Sequence, residues 1–388
     1  SVTIPMMKKT GYPGEFAGAV EAAASTGGQI MPPIMGAAAF IMAEMTGFDY
    51  SKIIVRAILP AFLYFLGIFL GVHFKAKKLG LKGLPREELP KWGKLLPKIY
   101  LLLPLVLLVY MIVSGQTMAK SAIYATIAAI AVSLINKDDR MTPTKFVNGL
   151  ENGGKNCISI GIACGIAGII SVCITMTGLG GKLITYVVSL SNGHLIIALF
   201  LTMICCIVLG MGVPTTANYI IMASTCAPIL INGMDMHVLA ANMFVFYFGI
   251  VADITPPVAL AAYAGSAIAK APPMKTAFNA TRLAIAAFII PYIFAFNNAM
   301  IFVGDDVTVW SVASITISAT LGMLSIASGL MGYLIHDLKW ISRIALIAGG
   351  LLMIIPGTVS DLAGFAVLAA IFVLQTIENK KEKKATSV

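Results

Sequence analysis

Ser25-Thr-Gly-Gly-Gln-Ile-Met-Pro-Pro-Ile-Met-Gly36 places two glycines and a Pro-Pro pair inside an otherwise apolar segment. A second stretch, Asp253-Ile-Thr-Pro-Pro-Val-Ala-Leu-Ala-Ala-Tyr263, repeats the theme later in the chain. A Pro-Pro pair removes two backbone donors and clashes with the preceding helical turn, and hydrocarbon offers no water to satisfy the freed backbone groups. The two stretches therefore predict helices that are broken at membrane depth, where they are buried in protein or line a wet cavity.

The composition of the chain is typical of a helical protein that crosses the membrane many times. Its 388 residues are 59% apolar and 11% charged, with a mean hydropathy of +0.91, whereas a soluble domain has about 25% charged residues. Apolar runs of about the length of a span recur from end to end. The six cysteines lie in or beside these runs without zinc spacing, so we interpret them as small buried hydrophobes. We predict an all-α integral membrane protein in a lipid bilayer.

The positions of the basic residues indicate how the chain crosses the membrane. They do not indicate a nucleic-acid partner. The basic loops at 75–98 and 137–155 and the lysine-rich tail fall on one side when the apolar segments are threaded alternately. This path places the C-terminus in the cytoplasm. It also makes the two Pro-Pro segments cross in opposite directions, as in an inverted-topology repeat. The predicted crossing segments are 15–46, 53–73, 99–114, 119–135, 157–177, 239–265, 283–303, 308–335, 340–355 and 361–376.

Two further segments complete the path. Residues 178–193 are too short to span and are predicted to lie in the outer interface as an arm. Residues 194–230 form an apolar hairpin that is broken at Gly210-Met-Gly-Val-Pro-Thr-Thr216, either re-entrant or as two full spans. Four regions are expected: 1–50 with the first broken helix, 51–156 with scaffold helices, 157–303 with the hairpin and the second broken helix, and 304–388 with C-terminal scaffold helices.

The first break carries oxygen donors that suit a cation. Ser25, Thr26, Gly27, Gly28 and Gln29 are predicted to unwind the helix and to direct carbonyl and hydroxyl oxygens at an ion such as sodium. The simpler interpretation is that the glycines only allow close helix packing, as small residues do in membranes. The adjoining Pro-Pro pair and the hydroxyls favour a site.

The hairpin tip carries groups that suit an anion. Thr215, Thr216 and Asn218 follow Pro214 at the start of the second arm. Free N–H groups and the positive end of a helix dipole attract a negative group there, such as a substrate carboxylate. The simpler interpretation is a cap for the helix start, and both roles are compatible.

Asp253 is the clearest acid within a membrane segment. Such residues mark functional sites by default, so Asp253 is a candidate cation ligand or proton carrier, although it could merely cap the helix after the break. Enzymatic motifs are absent: the chain has no Gly-x-Ser-x-Gly, no His-Glu-x-x-His and no Walker A loop. Uphill transport would therefore need an ion gradient or another subunit.

Three motifs together resemble the large membrane subunit of tripartite ATP-independent periplasmic (TRAP) transporters. They are Ser25 to Phe40, Gly210 to Tyr219 and Asp253 to Val258. The resemblance covers about residues 1–300 and is strongest to the fused-permease branch that works with TAXI-type binding proteins, while 308–376 resembles the C-terminal extension of that branch. It implies that a first hairpin, small-subunit-like helices and so an N-terminal half precede Ser1.

The resemblance implies a function for the chain. Such permeases are sodium-coupled importers of organic acids in the inner membrane of bacteria or archaea. They receive substrate from a periplasmic binding protein, use no organic cofactor, and move an elevator-type transport domain with re-entrant hairpins, so 194–230 would be the second hairpin. C4-dicarboxylates, 2-oxoglutarate and glutamate are all compatible substrates. The outer loops at 47–52, 178–193, 231–238 and 304–307 are the candidate docking sites.

On this resemblance, the polar residues of the breaks and the tip divide into two sets. Sodium would bind at the first break and between the hairpin tip and the second break, at Ser25, Thr26, Gly27, Gly28, Gly210, Gly212, Val213, Asp253, Ile254 and Thr255. The substrate would contact Gln29, Pro32, Pro33, Pro214, Thr215, Thr216, Asn218 and Pro256. The alternatives are a sodium-independent channel or facilitator for small organic anions and, third, a membrane-embedded enzyme.

Overall fold

The computed structural model describes residues 2–84, 87, 92–135, 140–304, 307–355 and 357–386, and within them it is all-helical. The α-helices are, in chain order, α1 Thr3–Lys9, α2 Gly14–Gly27, α3 Ala37–Thr46, α4 Tyr50–Lys78, α5 Trp92–Leu95, α6 Leu103–Val113, α7 Met118–Ile135, α8 Pro143–Met176, α9 Leu179–Ser191, α10 Leu195–Gly210, α11 Thr215–Thr225, α12 Ala227–Met234, α13 Val238–Val251, α14 Leu260–Ala269, α15 Pro273–Leu283, α16 Ile285–Phe296, α17 Val309–Met331, α18 Trp340–Leu352 and α19 Thr358–Thr386. Short 3₁₀ helices cover Leu96–Leu102, Ala252–Ile254 and Asn298–Ile301.

Seven helices of the described part are long and apolar enough to cross a membrane, or eight if the bent pair α8–α9 counts as one span. They confirm the predicted segments 53–73, 99–114, 119–135, 308–335 and 361–376 as long apolar helices, whereas the helix predicted at 283–303 is Pro273–Phe296. The segment at 340–355 is a shorter helix of 13 residues, α18. The predicted arm at 178–193 is helix α9, which meets α8 at 69°. The predicted loops 75–98, 137–155 and 304–307 lie partly outside the described residues, at 85–86, 88–91, 137–139 and 305–306.

Two predicted boundaries were wrong for the same reason. Helix α8 begins at Pro143 and not after the basic loop, and α15 begins at Pro273 and not near 283. Proline favours the first position of a helix, because its fixed φ suits the helix and its missing N–H would have no partner there. In α8, an ion pair of 2.6 Å between Lys155 and Glu151, one turn apart, supports the added residues.

The two broken helices pack against each other with opposite directions. Gly14 of α2 lies beside Ala269 at the end of α14, and Gly18 lies beside Gly265 one turn back, so the two helices run antiparallel. A Cβ atom on Gly18 would lie 2.9 Å from the Gly265 carbonyl oxygen. The glycine pair therefore lets the two backbones touch, as small residues do between membrane helices. The other two halves, α3 and α13, are also in contact.

Helix α13 forms the centre of the molecule. Every residue from Leu239 to Val251 is buried. Its aromatic residues pack on α16, where Phe244 and Phe248 contact Tyr292 at ring-centre distances of 5.6 and 6.1 Å. A helix that is apolar on all sides needs protein on all sides, so the second broken helix is held inside a shell of other helices.

The C-terminal helices α17, α18 and α19 form a layer on the outside of α4. Helix α17 packs on α4, α18 packs on α17, and α19 packs on α18. A hydrogen bond joins the loop after α17 to α19: the Ile335 N–H donates to the side-chain oxygen of Gln375 at 3.0 Å. An ion pair of 3.3 Å between Lys78 and Asp337 joins the same loop to the end of α4.

Candidate functional site

The first break begins later than the sequence predicted. Helix α2 continues through Gly27, and the carbonyl oxygens of Ser25, Thr26 and Gly27 accept hydrogen bonds from the turn that follows. The expectation that Ser25–Gly27 unwind was therefore wrong, since the intact helix uses their N–H groups and the turn uses their carbonyls. Thr26 and Gly27 are buried, whereas Ser25 and Gly28 are exposed and Gln29 is half-buried. Each of these carbonyl oxygens has a second lone pair that can coordinate a cation in addition to the hydrogen bond. Cation binding at this helix end therefore stays a prediction.

The two breaks share several features of local structure at corresponding positions. Each contains a cis Pro-Pro peptide, at Pro32-Pro33 and Pro256-Pro257. Two residues after each pair the backbone is left-handed, at Met35 with φ 51° and at Ala259 with φ 36°. The Met35 N–H bonds to the Met31 carbonyl as the Ala259 N–H bonds to that of Thr255.

A tyrosine hydroxyl lies beside the carbonyl of the second proline in both breaks, although the two tyrosines are at different positions in the chain. Tyr263 donates to the Pro257 carbonyl at 2.7 Å, whereas the Tyr50 hydroxyl lies 2.9 Å from the Ile34 carbonyl and 3.1 Å from that of Pro33. Aligned in this way, Gln29 occupies in the first break the position that Asp253 occupies in the second. The breaks are thus one structural motif used twice, with a neutral amide in one copy and an acid in the other.

The hairpin tip meets the second break. The Thr215 hydroxyl donates a hydrogen bond of 3.3 Å to the Asp253 carboxylate. A Cβ atom on Gly210 would lie 2.9 Å from Ala252, and one on Gly212 would lie 4.0 Å from Val258. The left-handed φ of +77° at Gly212 makes the tight turn at the tip. The predicted residues Gly210, Gly212, Thr215 and Asp253 are therefore brought together, and Asp253 is half-buried there.

The tip reaches the middle of the second broken helix. Helix α14 continues for ten residues, or about 15 Å, beyond the break that the tip contacts. Helix α2 also contacts the Ala252–Ile254 turn, so the end of the first broken helix lies near the same point. The other predicted residues there are partly accessible, except for the buried Ile254: Val213, Thr216, Thr255, Pro32, Pro33 and Pro256 are half-buried, and Pro214 is exposed.

Asn218 is placed differently from the threonines of the tip. Its side chain is fully buried, and its Nδ2 atom donates to the Gly249 carbonyl of α13 at 3.1 Å. Its Oδ1 atom is buried and has no hydrogen-bond partner among the residues that the structure describes. An orphaned buried acceptor is costly, and a cation or a water would satisfy it. A role for Asn218 in binding the substrate stays a prediction.

Sequence reasoning did not predict the buried tyrosines whose hydroxyls join the helices around this site. The buried Tyr64 hydroxyl of α4 donates to the Ala23 carbonyl of α2 at 2.7 Å, and Tyr219 donates to the Asn242 amide oxygen at 2.8 Å. Both contacts join residues far apart in the chain. The only signal in the sequence is a polar tip on an aromatic residue inside an apolar run, which usually finds a partner when buried.

Two of the loops predicted to dock a partner lie together. Phe48 in the loop 47–52 contacts His237 in the loop 231–238 at a ring-centre distance of 5.9 Å, and Arg56 stacks on Phe48 at 5.7 Å. Burial and the positive charge of Arg56 lower the pKa of His237. Its Nδ1 atom accepts from the Leu239 N–H and caps α13, which is possible only for the neutral ring. Among the described residues, no group of three or more His, Cys, Asp or Glu side chains could hold a metal ion.

The comparison with protein families agrees with this architecture. The family model for the DctM component of tripartite ATP-independent periplasmic transporters matches residues 1–305. The chain belongs to the DctM family. It is therefore a TRAP transporter permease and not an enzyme, a multi-pass membrane protein of a family that works with a periplasmic binding protein and a small membrane subunit. A search of curated proteins found no match. Helices α17, α18 and α19 lie beyond the matched residues of this DctM permease.

Proposed function

We propose that this DctM permease imports a small organic acid of the dicarboxylate class by sodium symport. It works in the cytoplasmic membrane, with its C-terminus in the cytoplasm, and a periplasmic binding protein of the TAXI type delivers the substrate. The observation that carries the proposal is the junction at Asp253, where a hairpin tip, the ends of broken helices and one acid meet inside an apolar protein. Such junctions bind ions and substrates in secondary transporters.

The sodium part of the proposal rests on oxygen atoms at helix ends. Asp253 belongs to the 3₁₀ turn that ends α13, where carbonyl groups lack further helical partners. Thr215 already orients the carboxylate from the opposite side. The orphaned Oδ1 atom of Asn218 adds an acceptor beneath the tip. These groups, with the end of α2, supply the neutral and charged oxygens that a sodium ion requires.

The substrate part rests on the start of α11. This helix begins directly after Pro214, so the first N–H groups of Thr215 and Thr216 have no partner within the helix. The positive end of the helix dipole favours a carboxylate there. Because Asp253 is close, an anion would be repelled until a cation neutralised the acid. Sodium and substrate binding would therefore be coupled through electrostatics at one junction.

The transport movement is proposed to be of the elevator type. Helices α2, α3 and α10 to α14 would form the moving unit with a re-entrant hairpin, since the tip ends at the level of the second break. Helices α2 and α14 contact each other so closely at Gly18 and Gly265 that we expect them to move together. Helices α4, α16 and α17 would form the static side. Aromatic rings and the Tyr64 hydroxyl lie at the boundary between the two parts.

Sodium binding can be tested without transport. A ligand that binds only the folded state raises the unfolding temperature. Sodium chloride should stabilise the purified permease against heat more than choline chloride at equal ionic strength, and Asp253→Asn should remove this difference. Glu44→Gln, which changes an exposed acid of α3, should leave the difference intact. Equal unfolding temperatures in the two salts for the wild type would favour a sodium-independent facilitator.

A further inference from the structure

The C-terminal helices enclose a polar cavity that the transport site does not use. It has a volume of about 200 Å³ and lies where the first half of α17 meets the end of α18 and the start of α19. Its polar lining comes from Asn297, Ser314, Ser318, Thr358 and Asp361. A cavity of this size holds several waters or a small polar headgroup. Nearly all of its lining lies beyond residue 305, outside the part of the chain that the family model matches.

Asp361 is the only charged group that lines this cavity among the described residues. The Ser318 hydroxyl donates to its Oδ1 atom at 2.5 Å and lies 3.1 Å from the Met353 carbonyl oxygen. Among the described side chains, no Lys, Arg or His forms an ion pair with Asp361. As an acid in the first turn of α19 it stabilises the helix start. Within the described part of the chain no hydrogen bond or ion pair involves its second oxygen, which can therefore face a cation in the cavity.

An apolar groove continues from the polar cavity. A second cavity of about 320 Å³ shares Ser314, Ser318, Met353, Thr358 and Asp361 with the first. Its other lining residues are apolar: Trp310, Ile317, Leu321, Leu362 and Phe365. Trp310 is 81% exposed and Leu362 is 63% exposed. In a membrane protein such side chains face lipid, and tryptophan prefers the level of the headgroups.

We propose that this site binds a lipid with a primary ammonium headgroup, phosphatidylethanolamine, through Asp361 and the hydroxyls beside it. The ammonium carries three N–H donors, which match the carboxylate of Asp361 and the hydroxyl oxygens of Ser314 and Thr358. The groove between α17 and α19 takes an acyl chain. Helix capping explains Asp361 alone, whereas a lipid explains why the unpaired acid opens directly into an apolar groove at the interface.

The headgroup is tested by native mass spectrometry of the full chain released from mixed-lipid nanodiscs. The wild type should retain phosphatidylethanolamine over phosphatidylcholine by about fivefold, because choline keeps the positive charge but has no N–H donor, and one hydrogen bond contributes about 1 kcal/mol. Stepwise N-methylation of the headgroup should lower retention, because each methyl group removes a donor. Equal retention of the two lipids by the wild type would overturn the proposal, and this arm needs no variant.

Variants then locate the site. Asp361→Asn keeps the shape and the hydrogen bond to Ser318, but it replaces the second carboxylate oxygen by an NH2 group that cannot accept from the ammonium, so the lipid preference should fall to about one. Glu44→Gln, an exposed acid outside the groove, should leave the preference unchanged. Phe365→Ala should weaken retention of both lipids alike. An unchanged preference in Asp361→Asn would overturn the assignment.

Two other occupants are distinguished by the same material. Soluble ethanolamine that displaces the lipid completely at millimolar concentration would show that the groove contributes nothing, and this would overturn the lipid assignment. A dimer that forms without lipid and is dispersed by Phe365→Ala would show that a second copy covers the groove, which would also overturn it. Wild-type lipid preference with a monomeric chain supports it.

Discussion

Asp253 and Thr215 are the two residues on which the proposed coupling depends most. The acid sits in the second break, and the threonine reaches it from the hairpin tip across 3.3 Å. In the first break the corresponding position holds Gln29, which cannot carry a charge. The two breaks therefore differ in charge, and the acid lies in the second break, which the hairpin tip contacts.

Thr215→Val removes the hydroxyl and keeps the shape of the side chain. A hydrogen bond to a charged group contributes about 1.5 kcal/mol, so we expect the half-saturating sodium concentration for uptake to rise by about tenfold. Ser224→Ala serves as the control, because it removes a hydroxyl from the same helix that bonds to the Ile220 carbonyl and not to Asp253. Equal sodium dependence in the two variants would contradict the role given to Thr215.

His237 should make the permease sensitive to pH through the cap of α13. Burial and Arg56 lower its pKa in the folded state, so folding favours the neutral ring. The cap's contribution, about 1 kcal/mol, is complete above the unfolded value of about 6.5. It is lost as the pH falls from there through the lower folded pKa. The unfolding temperature should drop over this window.

The control for His237 is a change that keeps an acceptor without a titration. His237→Asn, which still caps a helix, should flatten the pH dependence between about 6.5 and 5. His194 also precedes a helix but makes no side-chain cap, so His194→Gln should retain the wild-type profile. A wild-type profile in His237→Asn would show that another group is responsible.

Sequence reasoning at this scale found the residue types but not their partners. Asp253 and Gly210 were predicted as sodium ligands and Thr215 as a substrate contact, in each case because the residue lies next to a helix break. Asn218 was predicted with the threonines because it is close in sequence, but the helical turn directs it to Gly249 on α13. A single sequence does not show which buried donor meets which carbonyl across two helices.

At the scale of elements, the glycine contact between α2 and α14 holds the two broken helices together. Gly18→Ala would place a methyl group 2.9 Å from the Gly265 carbonyl oxygen. Overpacking of this kind costs about 1–3 kcal/mol, so the unfolding temperature and the uptake rate should both fall. Gly165→Ala in α8 is the control, since its methyl group would meet nothing within 4 Å. Equal behaviour of the two variants would argue against a tight α2–α14 unit.

Element positions were predicted better than element starts. Runs of apolar residues located the long helices, because length and hydropathy decide whether a segment can span. Pro143 and Pro273 were assigned to loops, although proline at a first helical position begins a helix. The duplicated break was predicted from Pro-Pro alone, whereas the tyrosine contacts of Tyr50 and Tyr263 depend on packing that the sequence does not display.

At the scale of the whole molecule, Tyr64 joins the proposed static side to the proposed moving unit. Its buried hydrogen bond to Ala23 has to break if α2 slides past α4. Tyr64→Phe should destabilise this conformation by about 1 kcal/mol. The ratio of the conformational populations should therefore change by about fivefold. Dyes at Lys270→Cys and Lys339→Cys, in a chain whose six native cysteines are replaced, would report the shift as a change in distance distribution.

Tyr219→Phe is the matched control for this movement. It also removes a buried tyrosine hydrogen bond, but between α11 and α13, which belong to the same proposed unit. Its unfolding temperature should fall by a similar amount without a change in the dye distances. If Tyr64→Phe and Tyr219→Phe behave alike, α2 and α4 do not move relative to each other.

The most direct measurement of the central claim is uptake of labelled dicarboxylates into proteoliposomes that contain the complete transporter. An inward sodium gradient is imposed or omitted, with and without the cognate periplasmic binding protein. Sodium symport predicts uptake that requires both the sodium gradient and the binding protein. It also predicts that Asp253→Asn abolishes this uptake. Uptake that ignores sodium and the binding protein would contradict the symport mechanism and establish a facilitator in its place.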